Sequence, residues 1–89
     1  MAITALKLKI MPEQGENLEV LKKNLEISLT QAGAVKINSM IEEPIAFGLK
    51  AIIITLAWPE NKETGEAEEA AKIEGVSSVE IIDYRRAFG

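Results

Sequence analysis

Eighty-nine residues at 47% hydrophobic content suffice for one small domain with a thin core. Cysteine and histidine are both absent, which excludes disulfides, thiolate or imidazole metal sites, a cysteine nucleophile and the commonest general base near neutral pH. The net charge of −4 speaks against binding a phosphate backbone, and the longest apolar run, Ala51–Pro59, is too short to cross a bilayer. These bounds leave a cytoplasmic, non-enzymatic module, a single domain over residues 1–89, with no cofactor and no direct contact with nucleic acid or membrane.

The first element is a strand over Ile3–Met11. Leu6, Leu8 and Ile10 lie on one side and Ala5, Lys7 and Lys9 on the other, the period-two pattern of a half-wet strand. Asn17 then caps a helix whose apolar stripe is Leu18, Leu21, Leu25 and Leu29, and Gly33 supplies its left-handed stop. Ala34–Glu42 is β-like but alternates weakly, with Val35, Ile37 and Ile41 as its apolar set, which predicts an edge strand. Leu49–Trp58 is almost wholly apolar and belongs at the centre of a sheet, with Ile52, Ile54 and Leu56 toward the helices. Thr64–Glu74 reads as a short alanine-faced helix stopped by Gly75, and Val76–Tyr84, with Val79, Ile81 and Ile82, as the last strand. The order β-α-β-β-α-β is that of two βαβ halves. It predicts an α+β, ferredoxin-like sandwich, a four-stranded antiparallel sheet with two helices on one face. The other face is left open, and Lys7 and Lys9 point into it.

Such a fold hosts unrelated activities, so function must be argued from residues. No glycine-rich phosphate loop is present. The acidic run Glu60, Glu63, Glu66, Glu68 and Glu69 has no aspartate ladder beside it and reads as a solvated helix face. The first strand carries no aromatic on which a base would stack, which removes the RNA-reading mode of this fold. Two stretches remain. In the link between the second and third strands, Pro44 and Gly48 flank Phe47 on a stiff hairpin end. Phe47 is either an exposed anchor for a partner or extra core folded over the sheet edge, and ordinary packing favours the core. The tail Asp83-Tyr84-Arg85-Arg86-Ala87-Phe88-Gly89 carries two cations and a large apolar residue, and by default it frays.

Three features together resemble the archaeal elongation factor 1-beta family and the C-terminal exchange domain of its eukaryotic counterparts. Glu43-Pro44-Ile45-Ala46-Phe47-Gly48-Leu49-Lys50-Ala51-Ile52 is similar to the family's Pro-hydrophobic-Gly-aromatic-Gly-hydrophobic-Lys/Arg segment, with Ala46 where Gly is usual. Val79-Glu80-Ile81-Ile82-Asp83 is similar to its final strand, and chain length and element order agree without insertions. The resemblance implies a guanine-nucleotide exchange factor for elongation factor 1-alpha, the GTPase that delivers aminoacyl-tRNA. It implies docking of Phe47 into the GTPase, with Pro44 and Gly48 as supports. It further implies that the C-terminal end approaches the partner's GDP and magnesium. Eukaryotic relatives place a lysine almost last for that role; here Arg85, Arg86 and Phe88 occupy the end, and an arginine would supply the cation. The competing expectation, from a different class, is an ACT-like module that binds amino acids and shares this order of elements. A ribosomal-type RNA-associated protein is a third, opposed by the acidic balance.

Overall fold

The computed structural model describes residues 2–87. Strand β1, Ile3–Pro12, alternates strictly: Thr4, Leu6, Leu8 and Ile10 are buried, while the residues between them are half-exposed. Helix α1, Leu18–Ala32, begins where the Asn17 carboxamide oxygen accepts the N–H groups of Glu19 and Val20 at 3.0 and 3.2 Å. Its Leu21, Leu25 and Leu29 are buried, as their spacing along one helical face requires. At Gly33, φ is 123°, and the next N–H, that of Ala34, reaches back to the Leu29 carbonyl at 3.0 Å. These bonds satisfy carbonyls that the helix end leaves free.

Strands β2, Lys36–Pro44, and β3, Lys50–Pro59, form a hairpin, and β4, Val76–Ala87, closes a four-stranded antiparallel sheet in the order β2-β3-β1-β4. The nearly all-apolar β3 is central, as its composition demands. Its Ile52, Ile54, Leu56 and Trp58 pack with the β1 leucines and the helices, and Ile53, on the opposite face, is still only 4% exposed. Ile53 lies between Lys9 and Ile41 in the register, a central position that explains its burial. Helix α2, Thr64–Ala70, packs on the same face as α1, and Ser28 Oγ donates to the Ala70 carbonyl at 2.6 Å across the pair. The architecture is the ferredoxin-like sandwich.

Three elements depart from what local pattern predicts. In β2, Asn38 is an extra residue, because Ile37 pairs with Leu56 and Ser39 with Thr55. The bulge reverses the side-chain parity, so Ile37 and Met40 face the core while Ile41 is more than half exposed; Val35, ahead of the strand, is exposed as well. Second, α2 ends at Ala70 rather than near Glu74. After Ala71 the bonds tighten, Lys72 N–H to Glu69 O and Val76 N–H to Ile73 O, because the chain must reverse within a few residues to enter β4. Gly75, at φ 93°, serves that reversal rather than capping the helix. Third, the tail is not frayed through Ala87: Ala5, Thr4 and Ile3 pair with Arg85, Arg86 and Ala87. A second bulge, at Ile82, lies in this other edge strand, and bulges on edges discourage further strand addition.

Candidate functional site

The β2–β3 hairpin ends in a tight turn over Ala46–Leu49, in which the Leu49 N–H donates to the Ala46 carbonyl at 2.9 Å. Its central residues are Phe47 at φ 54° and Gly48 at φ 77°, so both are left-handed, as in a type I′ turn. Ile45 N–H closes the next rung on the Leu49 carbonyl at 2.9 Å, and Pro44 faces Lys50 at the strand ends. Gly48 accepts this backbone without strain; Phe47 does not. It is the only non-glycine residue with positive φ among those described, and its side chain is 100% exposed. The core reading of Phe47 is therefore wrong. Folding gains nothing from the ring, and the left-handed backbone costs about 1–2 kcal/mol for an ordinary L-residue. Phe47 thus combines backbone strain with full exposure, and nothing in the fold accounts for an aromatic residue there.

The surroundings extend this apolar tip. Ile45 and Leu49 are each 43% exposed on either side of it, and a cavity of about 130 Å3 lies between the turn and the β1–α1 loop, lined in part by Met11, Pro12, Gly48 and Lys50. Behind the tip stands a charged brace that local pattern did not reveal. Lys22 Nζ on α1 reaches Glu42 Oε2 at 2.8 Å, and Lys50 Nζ reaches Glu42 Oε1 at 3.5 Å. The hydrogen bond from Lys22 holds the Glu42 carboxyl below its ordinary pKa, and the same bond holds the Lys22 ammonium above its own. The bulge at Asn38 turns Glu42 to the helix side, so the pair could be foreseen only with the register in hand.

The second group of candidate residues lies elsewhere. Arg85 and Arg86 sit on β4 opposite Ala5 and Thr4, beside the start of β1 and the end of β3. Arg85 Nε lies 3.4 Å from Asp83 Oδ2, and Arg86 Nη2 donates to Glu60 Oε1. Phe88 lies outside the described residues. Eight residue steps of β1 separate Thr4, beside Arg86, from Pro12, at the hairpin end, which is about 26 Å before the turn itself is added. The molecule measures 41 Å along its longest axis, so the two groups occupy its opposite ends. Pro44, Phe47 and Gly48 lie together at one end, and Arg85 and Arg86 lie at the other, on opposite faces of the sheet. Among the described residues, no group of three or more carboxylates is arranged to hold a metal ion, and no helix is long and apolar enough to span a membrane.

Comparison with known proteins decides the family. The EF-1 guanine nucleotide exchange domain matches residues 5–87. The chain belongs to the EF-1 guanine nucleotide exchange domain family. Elongation factor 1-beta of Methanosarcina mazei is 47% identical over 89 positions, covering 97% of this chain and 99% of that protein. The protein of the same name from Archaeoglobus fulgidus is 41% identical over 87 positions, with 93% and 96% covered. That of Sulfolobus acidocaldarius is 40% identical over 83 positions, with 89% and 90% covered. Membership of the exchange-domain family decides against the amino-acid-binding alternative, which rested on element order alone. The matched span contains the exposed turn and both arginines.

Proposed function

We propose that this chain, a guanine-nucleotide exchange factor for elongation factor 1-alpha in translation elongation, grips its GTPase at two points. The carrying observation is Phe47, fully exposed and held in a left-handed backbone at the tip of a braced hairpin. In this reading the Phe47 ring enters an apolar pocket of the GTPase, with Gly48 completing the turn and Pro44 stiffening its approach. The opposite end, carrying Arg85, Arg86 and Phe88, approaches the bound GDP and its magnesium. A guanidinium there competes with magnesium for the phosphate oxygens and for the carboxylates around them. Because the ends lie about 30 Å apart, a rigid sheet couples them: docking the aromatic fixes where the cation arrives.

No covalent step is required. A factor that binds the empty GTPase more tightly than the loaded one weakens GDP binding by the same ratio, by linkage. The chain therefore works without a cofactor or catalytic side chain, as a single domain over residues 1–89, in the cytoplasm where its GTPase acts. It needs no direct contact with nucleic acid or membrane. The test is release of labelled GDP from elongation factor 1-alpha; a release rate unchanged at saturating chain overturns the proposal. Arg86→Ala is expected to slow release at saturation by tenfold or more, about 1.4 kcal/mol or above. It should leave docking through Phe47 measurable by binding.

A further inference from the structure

We infer that Glu60 is a positioning residue that holds the Arg86 guanidinium in the orientation used on the GTPase, an inference that rests on the role proposed for Arg86. The sheet separates the two. Arg86 is on β4, opposite Thr4 of β1, and Thr4 is opposite Trp58 of β3. Glu60 follows Trp58 by two residues, and its backbone N–H donates to the Ala2 carbonyl at 3.2 Å. Two strand spacings, about 10 Å, thus lie between the backbones. The Arg86 side chain crosses the end of β1 to donate from Nη2 to Glu60 Oε1. The contact is asymmetric: the Glu60 side chain is 28% exposed and that of Arg86 is 68% exposed.

A pair this open to water contributes little to folding. What it does is remove freedom. A free arginine at a strand end samples many rotamers, and ordering such a side chain on binding weakens association by about two- to tenfold. Glu60 engages one of the five N–H donors of the guanidinium, which leaves the others for an anion on the partner. Arg85 is held differently, by Asp83 on its own strand. Thus only Arg86 is tethered to a distant element whose position the sheet sets.

The test is a double-mutant cycle read as GDP release at subsaturating and saturating chain, with Arg86→Ala, Glu60→Ala, Glu60→Gln and the double variant. Glu60→Ala is expected to slow subsaturating release about two- to tenfold. Glu60→Gln, which keeps a carbonyl acceptor at the same length, should restore part of the loss. In the Arg86→Ala background, Glu60→Ala should change nothing further, and thermal melting should move little for either single variant. If Arg86→Ala is silent, the role of Arg86 fails and this inference with it. If Arg86→Ala slows exchange but Glu60→Ala is silent, or multiplies with it in the double variant, Glu60 does not position it. Faster exchange with Glu60→Ala would also overturn the inference, marking Glu60 as a competing anion.

Discussion

Replacing Phe47 with Asn is expected to make the protein more stable and less active at once. The turn places residue 47 at φ 54° with no burial of its ring, so removing the ring forfeits no folding contact. Asparagine is several-fold enriched over ordinary residues in the left-handed region, a preference equivalent to about 0.6–1 kcal/mol. The Leu49 N–H to Ala46 carbonyl bond at 2.9 Å is made by backbone and survives the change. For a domain of this size, 1 kcal/mol moves Tm by about 4–8 °C, so a rise of about 2–8 °C is expected. Exchange should move the other way. A buried aromatic anchor contributes about 2 kcal/mol or more to an interface, which is about 30-fold in the chain concentration needed for half-maximal GDP release. Thermal melting and GDP release on the same preparation give both readouts. A Tm lowered by more than about 4 °C would falsify the account of an unburied, strained ring. An unchanged concentration dependence would remove Phe47 from the interface.

The Glu42–Lys22 pair predicts a pH dependence of stability. Glu42 has a lowered pKa in the folded chain, so its contribution is present above the unfolded value of 4.5 and is lost as pH falls through the folded value. Lys22 is raised, so its contribution is fully present below 10.5 and is lost as pH rises through the folded value. Urea midpoints of the wild-type chain and Glu42→Gln should therefore differ across neutral pH and converge at both extremes; a gap that persists at pH 2–3 refutes the pairing. Ser28→Ala removes the 2.6 Å bond to the Ala70 carbonyl that joins the helices, and should lower unfolding free energy by about 1–2 kcal/mol in denaturant titration. No change would mean water takes over the carbonyl. Gly48→Ala meets no atom within 4 Å of its Cβ, so any loss of stability, about 1 kcal/mol, reports backbone strain at φ 77° alone.

Local pattern was sufficient for the element order, for both central strands and for the buried face of α1. Leu6, Leu8 and Ile10 alternate, and Leu21, Leu25 and Leu29 repeat at helical spacing, because burial is periodic along a regular backbone. Pattern failed where the period itself changes. The extra residue Asn38 exchanges Ile41 for Met40 in the core, and no propensity marks it, since a bulge is a property of two paired strands. The end of α2 departs from the local pattern for a related reason. Ala67 and Ala71 are buried at helical spacing, but the chain leaves the helix to reach β4, whose first pair is with the distant Pro12.

The candidate site divides in the same way. Pro44, Phe47 and Gly48 stood out in the sequence because proline, glycine and an aromatic at a hairpin end carry local conformational meaning. Their sequence neighbourhood left the ring's burial open, and only the folded hairpin, which packs nothing against the ring, settles that it faces solvent. Arg85 and Arg86 were visible as charges, but their ordered places beside Ala5 and Thr4, and the tie of Arg86 to Glu60, depend on antiparallel pairing with residues far away at the start of the chain. The chain has no cysteine and no histidine, and it is short and acidic. These follow from composition alone and exclude chemistry without any structure. That the remaining candidates stand at opposite ends of a rigid sheet is decided by tertiary pairing, because strand register, a long-range property, sets which residues lie side by side and which lie far apart.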